Sequence, residues 1–281
     1  MSFLDRIAAC TACDLSTYRP FRVDGADVGF AKPDFADSLR AFPEVFEVSD
    51  GLLTLNRNLV GFEDRTAAVD GVLRRLAGRG AFTGWRDEPY PVGTSFAGPA
   101  FFNMERAAVP LFGVVGYGVH MNGIVVDGDG MKMWIGRRSF EKRSAPGKLD
   151  QLVAGGQPAG LSLGKNLIKE AAEEAAISAT LTARAVPVGA VTDCVERPEG
   201  LRRDVLFVYD LELPADFRPV PTDGEVAEFY LWPIDRVIET VRDTDGFKFN
   251  CALVVVDFLV RHGFIAPDHP DYMDILRGLR R

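Results

Sequence analysis

Leu149-Asp150-Gln151-Leu152-Val153-Ala154-Gly155-Gly156-Gln157-Pro158-Ala159-Gly160 runs directly into Leu161-Ser162-Leu163-Gly164-Lys165-Asn166-Leu167-Ile168-Lys169-Glu170-Ala171-Ala172-Glu173-Glu174-Ala175-Ala176-Ile177. An extended run enters a glycine-rich loop, and the loop feeds a helix predicted from about Leu163 to Ile177. On that helix Glu170, Glu173 and Glu174 stand at i, i+3 and i+4, so their carboxylates share one face. Leu167, Ile168, Ala171, Ala172 and Ala175 supply the packing sides. Three like charges this close repel, and the plain reading is a solvated acidic face. A hard cation between them relieves the repulsion, and Mg²⁺ or Mn²⁺ suits an all-oxygen shell completed by water and phosphate. Gly155 and Gly156 let the backbone turn tightly and approach a ligand.

Working outward, the texture is that of a mixed sheet. Val115 to Val126 and Met131 to Arg137 read as strands joined by the Asp127-Gly128-Asp129-Gly130 turn, a hairpin signal. Leu149 to Val153 is expected to be extended. Further strands are expected at Arg184 to Glu196, Val205 to Leu213 and Glu225 to Trp232. Helices follow at Asp235 to Val241, Phe247 to Arg261 and Asp271 to Leu279, the last with Pro270 near its first turn. Strands, one central helix, strands and terminal helices imply an α+β protein built as an α-β-α sandwich around a mixed sheet. Upstream lies a smaller α+β unit. Ser2 or Asp5 caps a first helix burying Phe3, Leu4 and Ile7; Asp34 to Phe42 reads as helical and Gly51 to Leu55 as extended. Asp64 to Leu76 sets Val69, Val72, Leu73 and Leu76 on one stripe, and Pro89 to Pro99 reads as turn-rich. We divide the chain into 1–114 and 115–281, with a soft boundary inside 105–118.

The chain has 281 residues, 47% hydrophobic and 26% charged, enough for one large core or two moderate ones. A net charge of −8 without a basic run argues against a nucleic-acid surface. No apolar stretch reaches the roughly 20 residues that span a bilayer, and the first residues read poorly as a signal peptide, so a cytoplasmic location is expected. Four cysteines are too few for a disulfide scaffold. Cys10 and Cys13 read as helix-face thiols rather than as a metal or redox pair, and Cys194 and Cys251 stand isolated. His120, His262 and His269 share no ligand spacing and read as surface or packing residues. The oligomeric state is left open.

Gly155 followed by Lys169-Glu170-x-x-Glu173-Glu174-x-Ala176-Ile177 resembles the box of the Nudix hydrolases. The resemblance implies a loop–helix–loop that binds divalent metal and cleaves diphosphates linked to another moiety, with Glu170, Glu173 and Glu174 as metal-binding carboxylates. Lys169 stands where the family usually has an arginine that orients a carboxylate, keeping the charge but losing the fork. Leu161 replaces the box's upstream glutamate and Ala176 its late glycine; the second departure is expected to be a packing change at the helix exit.

With the downstream Arg197 to Pro214 segment and the N-terminal unit, nearly the whole chain resembles one Nudix subfamily. That subfamily is related to the Nudix portion accompanying thiamine pyrophosphokinase in some fungi. The resemblance implies removal of the terminal phosphate from thiamine diphosphate and its oxo and oxy forms. Such a small-molecule substrate needs cations, for which Arg143, Lys148, Arg202 and Arg203 are candidates, and an aromatic slot, for which Phe207, Tyr209, Tyr230, Trp232 and Trp85 are. The general base is left among Glu174, Glu196, Glu225 and Glu228. The first domain is expected to cover one side of the pocket; Arg19, Lys32, Asn56, Arg57, Asn58 and Arg86 could contact a ligand, though solvent-facing charge accounts for each as well. A nucleoside diphosphate derivative such as ADP-ribose, a dinucleotide or a nucleotide sugar is the second enzymatic reading. An isoprenoid diphosphate isomerase wants more histidines than the chain offers, and a catalytically silent diphosphate-binding module is a third reading.

Overall fold

In the computed structural model, which describes residues 1–280, the sequence resolves into two layered units sharing one boundary. The first unit holds α1 (Phe3–Thr11), β1 (Arg19–Val23), β2 (Ala26–Ala31), α2 (Pro33–Ser38), β3 (Phe46–Val48), β4 (Leu53–Leu55), α3 (Phe62–Gly78), β5 (Pro89–Val92), β6 (Phe102–Glu105) and α4 (Val109–Phe112). Its four-stranded sheet runs β2-β1-β4-β3, and β5 and β6 form a separate hairpin. The stripe on α3 packs as its spacing predicts, with Val69, Val72, Leu73 and Leu76 buried in a core rich in phenylalanine. The Pro89 to Pro99 stretch differs from expectation. Pro89–Val92 is a strand, which prolines tolerate because the pair has no third strand asking for their missing N–H groups.

The second unit follows with β7 (Val115–Asp127), β8 (Gly130–Arg138), β9 (Leu149–Asp150), β10 (Val153–Gly156), α5 (Leu163–Ala175), α6 (Ala179–Thr182), β11 (Val186–Arg197), β12 (Gly200–Glu212), β13 (Val226–Pro233), α7 (Ile234–Asp243), α8 (Phe249–Arg261) and α9 (Tyr272–Gly278). Its mixed seven-stranded sheet runs β11-β12-β7-β8-β13, with β9 on β8 and β10 on β7. β7 pairs in parallel with β12 along one edge. On its other edge β7 is shared, β10 holding its first half and β8 its second. The single extended run expected at Leu149 to Val153 is therefore two short strands. The chain changes partner at Gln151-Leu152, both of which are buried.

Side chains alternate across the sheet. Val119, Met121, Tyr209 and Leu211 meet α5 on one face, while Ile124, Leu206 and Val208 meet α8 on the other. The first helix crosses over to that second face. Ser2 caps α1 in a reciprocal capping box with Asp5, and Phe3, Ile7 and Cys10 bury themselves in the core formed with α7, α8 and α9. Among the described residues no helix is long and apolar enough to cross a membrane.

The cysteines correct the sequence reading. α1 ends at Thr11, so Cys13 lies beyond it and is joined to Cys194 on β11 by a disulfide, with Cα atoms 5.9 Å apart. The two are 181 positions apart, a pairing that no local spacing can reveal. Cys10 and Cys251 are free and buried.

Candidate active site

α5 begins at Ser162, whose hydroxyl accepts the Lys165 N–H, and ends at Ala176 with φ +54°. That left-handed conformation is one a Cβ disfavours by about 1–2 kcal/mol, which is why a glycine suits the position. The departure at Ala176 is thus a conformational strain and not the packing change expected from the sequence.

The helix brings its three glutamates to the glycine loop, but not equivalently. Glu174 is buried and accepts the Ala154 N–H at 2.8 Å. Glu170 lies against the loop so closely that a Cβ on Gly155 would overlap its carboxyl group. Lys169 donates to Glu170 at 3.1 Å and to Glu173 at 2.7 Å, a monodentate bridge in place of an arginine fork. Burial raises the proton affinity of Glu170, and raises that of Glu174 well above the carboxylate range, with other carboxylates adding to both. Carboxylates crowded in this way, offering oxygen donors only, fit a hard divalent cation.

Gly156 marks where the two units meet. A Cβ there would overlap the Tyr90 hydroxyl and lie 3.0 Å from the Arg106 guanidinium. The Ala159 N–H donates to the Pro89 carbonyl at 2.8 Å, and Arg106 pairs with Glu88 at 2.7 Å. The β5–β6 hairpin therefore sits directly on the loop that precedes α5.

Between them opens a cavity of about 1360 Å³ lined by Lys169, Glu170 and Glu173. Although the whole chain is acidic, the cavity gathers Arg86, Arg106, Lys142, Arg143, Arg202 and Lys248 from both units. Of the proposed cations, Arg143 and Arg202 line it, as does Lys148, which is also paired with Asp245 at 3.0 Å. Arg203 does not: it donates to the Gly113 carbonyl at 3.1 Å and lies over the Phe30 ring. The aromatic candidates are mostly placed elsewhere. Tyr209 is in the α5-side core, Trp232 is buried against Tyr230 with Arg236 over its other face, and Trp85 stacks between Phe82 and Arg74. Phe207 clusters with Phe96 and Tyr117, and Tyr117 lines the cavity.

Of the first unit's other candidates, Arg19 is held by Asp37 and Lys32 by Glu196, both outside the cavity. Among the base candidates, Glu225 lines the cavity and pairs with Lys142, while Glu196 pairs with Lys32 and Glu228 with Arg137. Burial works to raise the Glu225 pKa, but Lys142 overcomes it and holds it down. Tyr90, Arg106, Lys142 and Lys248 escaped the sequence reading because each sits in an unremarkable local context; only the fold brings them together.

His120 is buried, as a packing residue is, and it also lines this cavity. Burial lowers its pKa to about 4, so the ring is neutral. Nearby, burial alone would raise Asp150, yet Lys248 and Arg138 hold it down at about 2. Asp150 accepts from Arg138 at 2.9 Å and from the Cys251 thiol at 2.7 Å.

Residues 2–116 match a family model described as a domain of unknown function, DUF4743. Two Arabidopsis thaliana proteins, Nudix hydrolase 20 and Nudix hydrolase 24, both chloroplastic, are each 47% identical to this chain, over 99% of it and 77% of their own length. An uncharacterized Saccharomyces cerevisiae protein, YJR142W, is 30% identical over 92% of this chain and 81% of its own.

Proposed function

The chain belongs to the Nudix hydrolase family, a hydrolase acting on a diphosphate-containing small molecule, and on that premise we propose how and on what it acts. The observation that carries the proposal is convergence: the acidic face of α5 and basic side chains from both units open on one cavity. Glu170, Glu173 and Glu174 would hold Mg²⁺ or Mn²⁺, which when bound polarises a phosphoryl oxygen and lowers the pKa of water. Arg86, Arg106, Lys142 and Arg143 neutralise and orient the diphosphate. Lys169 fixes the rotamers of Glu170 and Glu173. Glu225, kept ionised by Lys142, is the general base best placed to take a proton from the attacking water. The first unit forms one wall of the pocket through Arg86, Tyr90 and Arg106.

For the substrate, the resemblance described above supports thiamine diphosphate or its oxo and oxy forms, cleaved to the monophosphate and orthophosphate. One observation favours the second reading, a nucleoside diphosphate derivative such as ADP-ribose. The cavity exceeds the roughly 300–1,000 Å³ common for small-ligand sites, leaving room for a group on each side of the diphosphate. A panel of thiamine diphosphates, ADP-ribose, dinucleotides and nucleoside triphosphates with Mg²⁺ or Mn²⁺, read by phosphate release and product mass, separates them. A kcat/KM for ADP-ribose or a dinucleotide tenfold above every thiamine compound selects the nucleotide reading. No turnover of any diphosphate rejects both.

A further inference from the structure

The cavity extends from the glutamates across the β7 surface to the α8 side of the sheet. Gly116, Gly118 and His120 share one face of β7, and all three line it. Neither glycine has room for a Cβ, which at Gly116 would meet the Asp204 carboxylate and at Gly118 the Gly155 carbonyl, and beyond them stands an imidazole only 3% exposed.

The state of that imidazole follows from its partners. The Cys251 carbonyl can only accept, so the Gln151 atom 2.9 Å from it must be the amide NH₂. Gln151 therefore turns its carbonyl oxygen to His120, whose Nδ1 lies 2.7 Å away and must carry the proton. A neutral ring protonated on Nδ1 keeps a lone pair on Nε2. That nitrogen makes no hydrogen bond among the described residues. His120, Asp150 and Cys251 are close enough together to hold a metal ion. Their polar atoms are already engaged, however: Nδ1 with Gln151, and Asp150 with Arg138, Cys251 and the Gln151 N–H. The group is a hydrogen-bond network that locks one tautomer.

We propose that His120 is a specificity residue whose Nε2 accepts a hydrogen bond from an N–H donor, such as an exocyclic amino group, on the heterocycle of the substrate. The ring takes the end of the cavity lined by His120, Phe249 and Asn250 while the diphosphate reaches Glu170 and Glu173. The inference rests on the diphosphate-hydrolase reading for its placement of the phosphates, but the ring contact can be tested without turnover.

Two probe pairs differ only in the donor: thiamine monophosphate against its 4′-deamino analogue, and AMP against purine riboside monophosphate. Affinities are measured by calorimetry on the full chain and on His120→Phe, which keeps a flat ring and removes the acceptor. The parent should bind the amino member of one pair at least tenfold more tightly, and His120→Phe should bring the two members within twofold. Unchanged affinity for inorganic pyrophosphate shows that the variant is folded. A site designed to pair a donor discriminates against its absence because its own acceptor is then left buried and unpaired.

Should His120→Phe not fold, ¹⁵N chemical shifts of the three histidines in the parent give the same answer. His120 Nε2 should report an unprotonated nitrogen that moves on adding the amino probe and stays still with the deamino one. Equal affinities in the parent, a preference that survives His120→Phe, or a protonated Nε2 overturns the proposal. A His120-dependent amino preference in a protein that cleaves no diphosphate would leave it standing and remove the hydrolytic reading instead.

Discussion

Two helices of thirteen residues flank the same sheet and do opposite things with their polar residues. α5 keeps its chemistry on itself: Lys169, Glu170, Glu173 and Glu174 are neighbours on one helix, and Leu167, Ala171 and Ala175 form its packing side, whereas Ala172, expected there, is exposed. α8 is buried along Asn250 to Leu259 and contributes almost only packing. The polar network on its side is assembled from His120 on β7, Arg138 on β8, Asp150 on β9 and Gln151 just beyond it, with Cys251 as the helix's own share. One face concentrates charge where solvent and a cation can stabilise it. The other distributes polar groups over several elements so that they satisfy one another, His120 Nε2 apart.

The contrast predicts that damage on the α8 side is structural first and damage on the α5 side is catalytic first. Arg138→Met should cost about 3–5 kcal/mol of stability, because the Asp150 carboxylate stays behind, buried without its ion pair. Urea unfolding measures this, and a loss under about 1 kcal/mol would mean that the network is not holding the sheet.

His120 gives a pH signature on the same side. Its pKa is near 4 in the folded protein and near 6.5 when unfolded, so the unfolded chain takes up a proton first as the pH falls. The stability tied to the neutral ring is fully present above pH 6.5 and is lost as the pH drops to 4. Between pH 7 and 4 the parent should lose about 3 kcal/mol more than His120→Phe. Parallel curves for the two proteins would contradict the buried neutral ring.

On the α5 side, Glu173→Gln and Glu174→Gln should each lower kcat at least about a hundredfold, some 2.7 kcal/mol of barrier, while the metal-free melting temperature hardly falls. The stabilisation gained on adding Mn²⁺ should shrink. Retention of more than a third of parental kcat by both would detach catalysis from this helix. The smallest effect is expected at its end: Ala176→Gly should raise stability by about 1 kcal/mol, since only glycine takes φ +54° without strain.

The same contrast decides what could be read in advance. Glutamates three and four apart and a glycine loop are local, so α5, its neighbouring hairpin and the alternating strands were legible residue by residue. The candidate aromatics failed for the complementary reason. Tyr209 and Trp232 sit at strand positions that look alike in sequence whether they face a ligand or a core, and here they face a core. Arg203 differs from Arg202 by one position, which in a strand means the opposite side. Tyr90 and Arg106 reach the site only because the β5–β6 hairpin lands on Gly156, a contact with no trace in either segment alone. His120 and Cys251 are more than a hundred positions apart and gain their meaning from Gln151 between them.

The crossing of α1 to the far face bears on how the chain is made. Phe3 and Ile7 have no core to enter until α8 and α9 exist, and Phe249, where α8 starts, comes about 250 residues later. At synthesis rates of about 5–20 residues per second, that is a wait of roughly 12 to 50 seconds. During it an amphipathic helix with an exposed apolar stripe trails from the nascent protein. A segment made long before α8 is thus among the last to find its place, and the interval is when a chaperone would have something to hold.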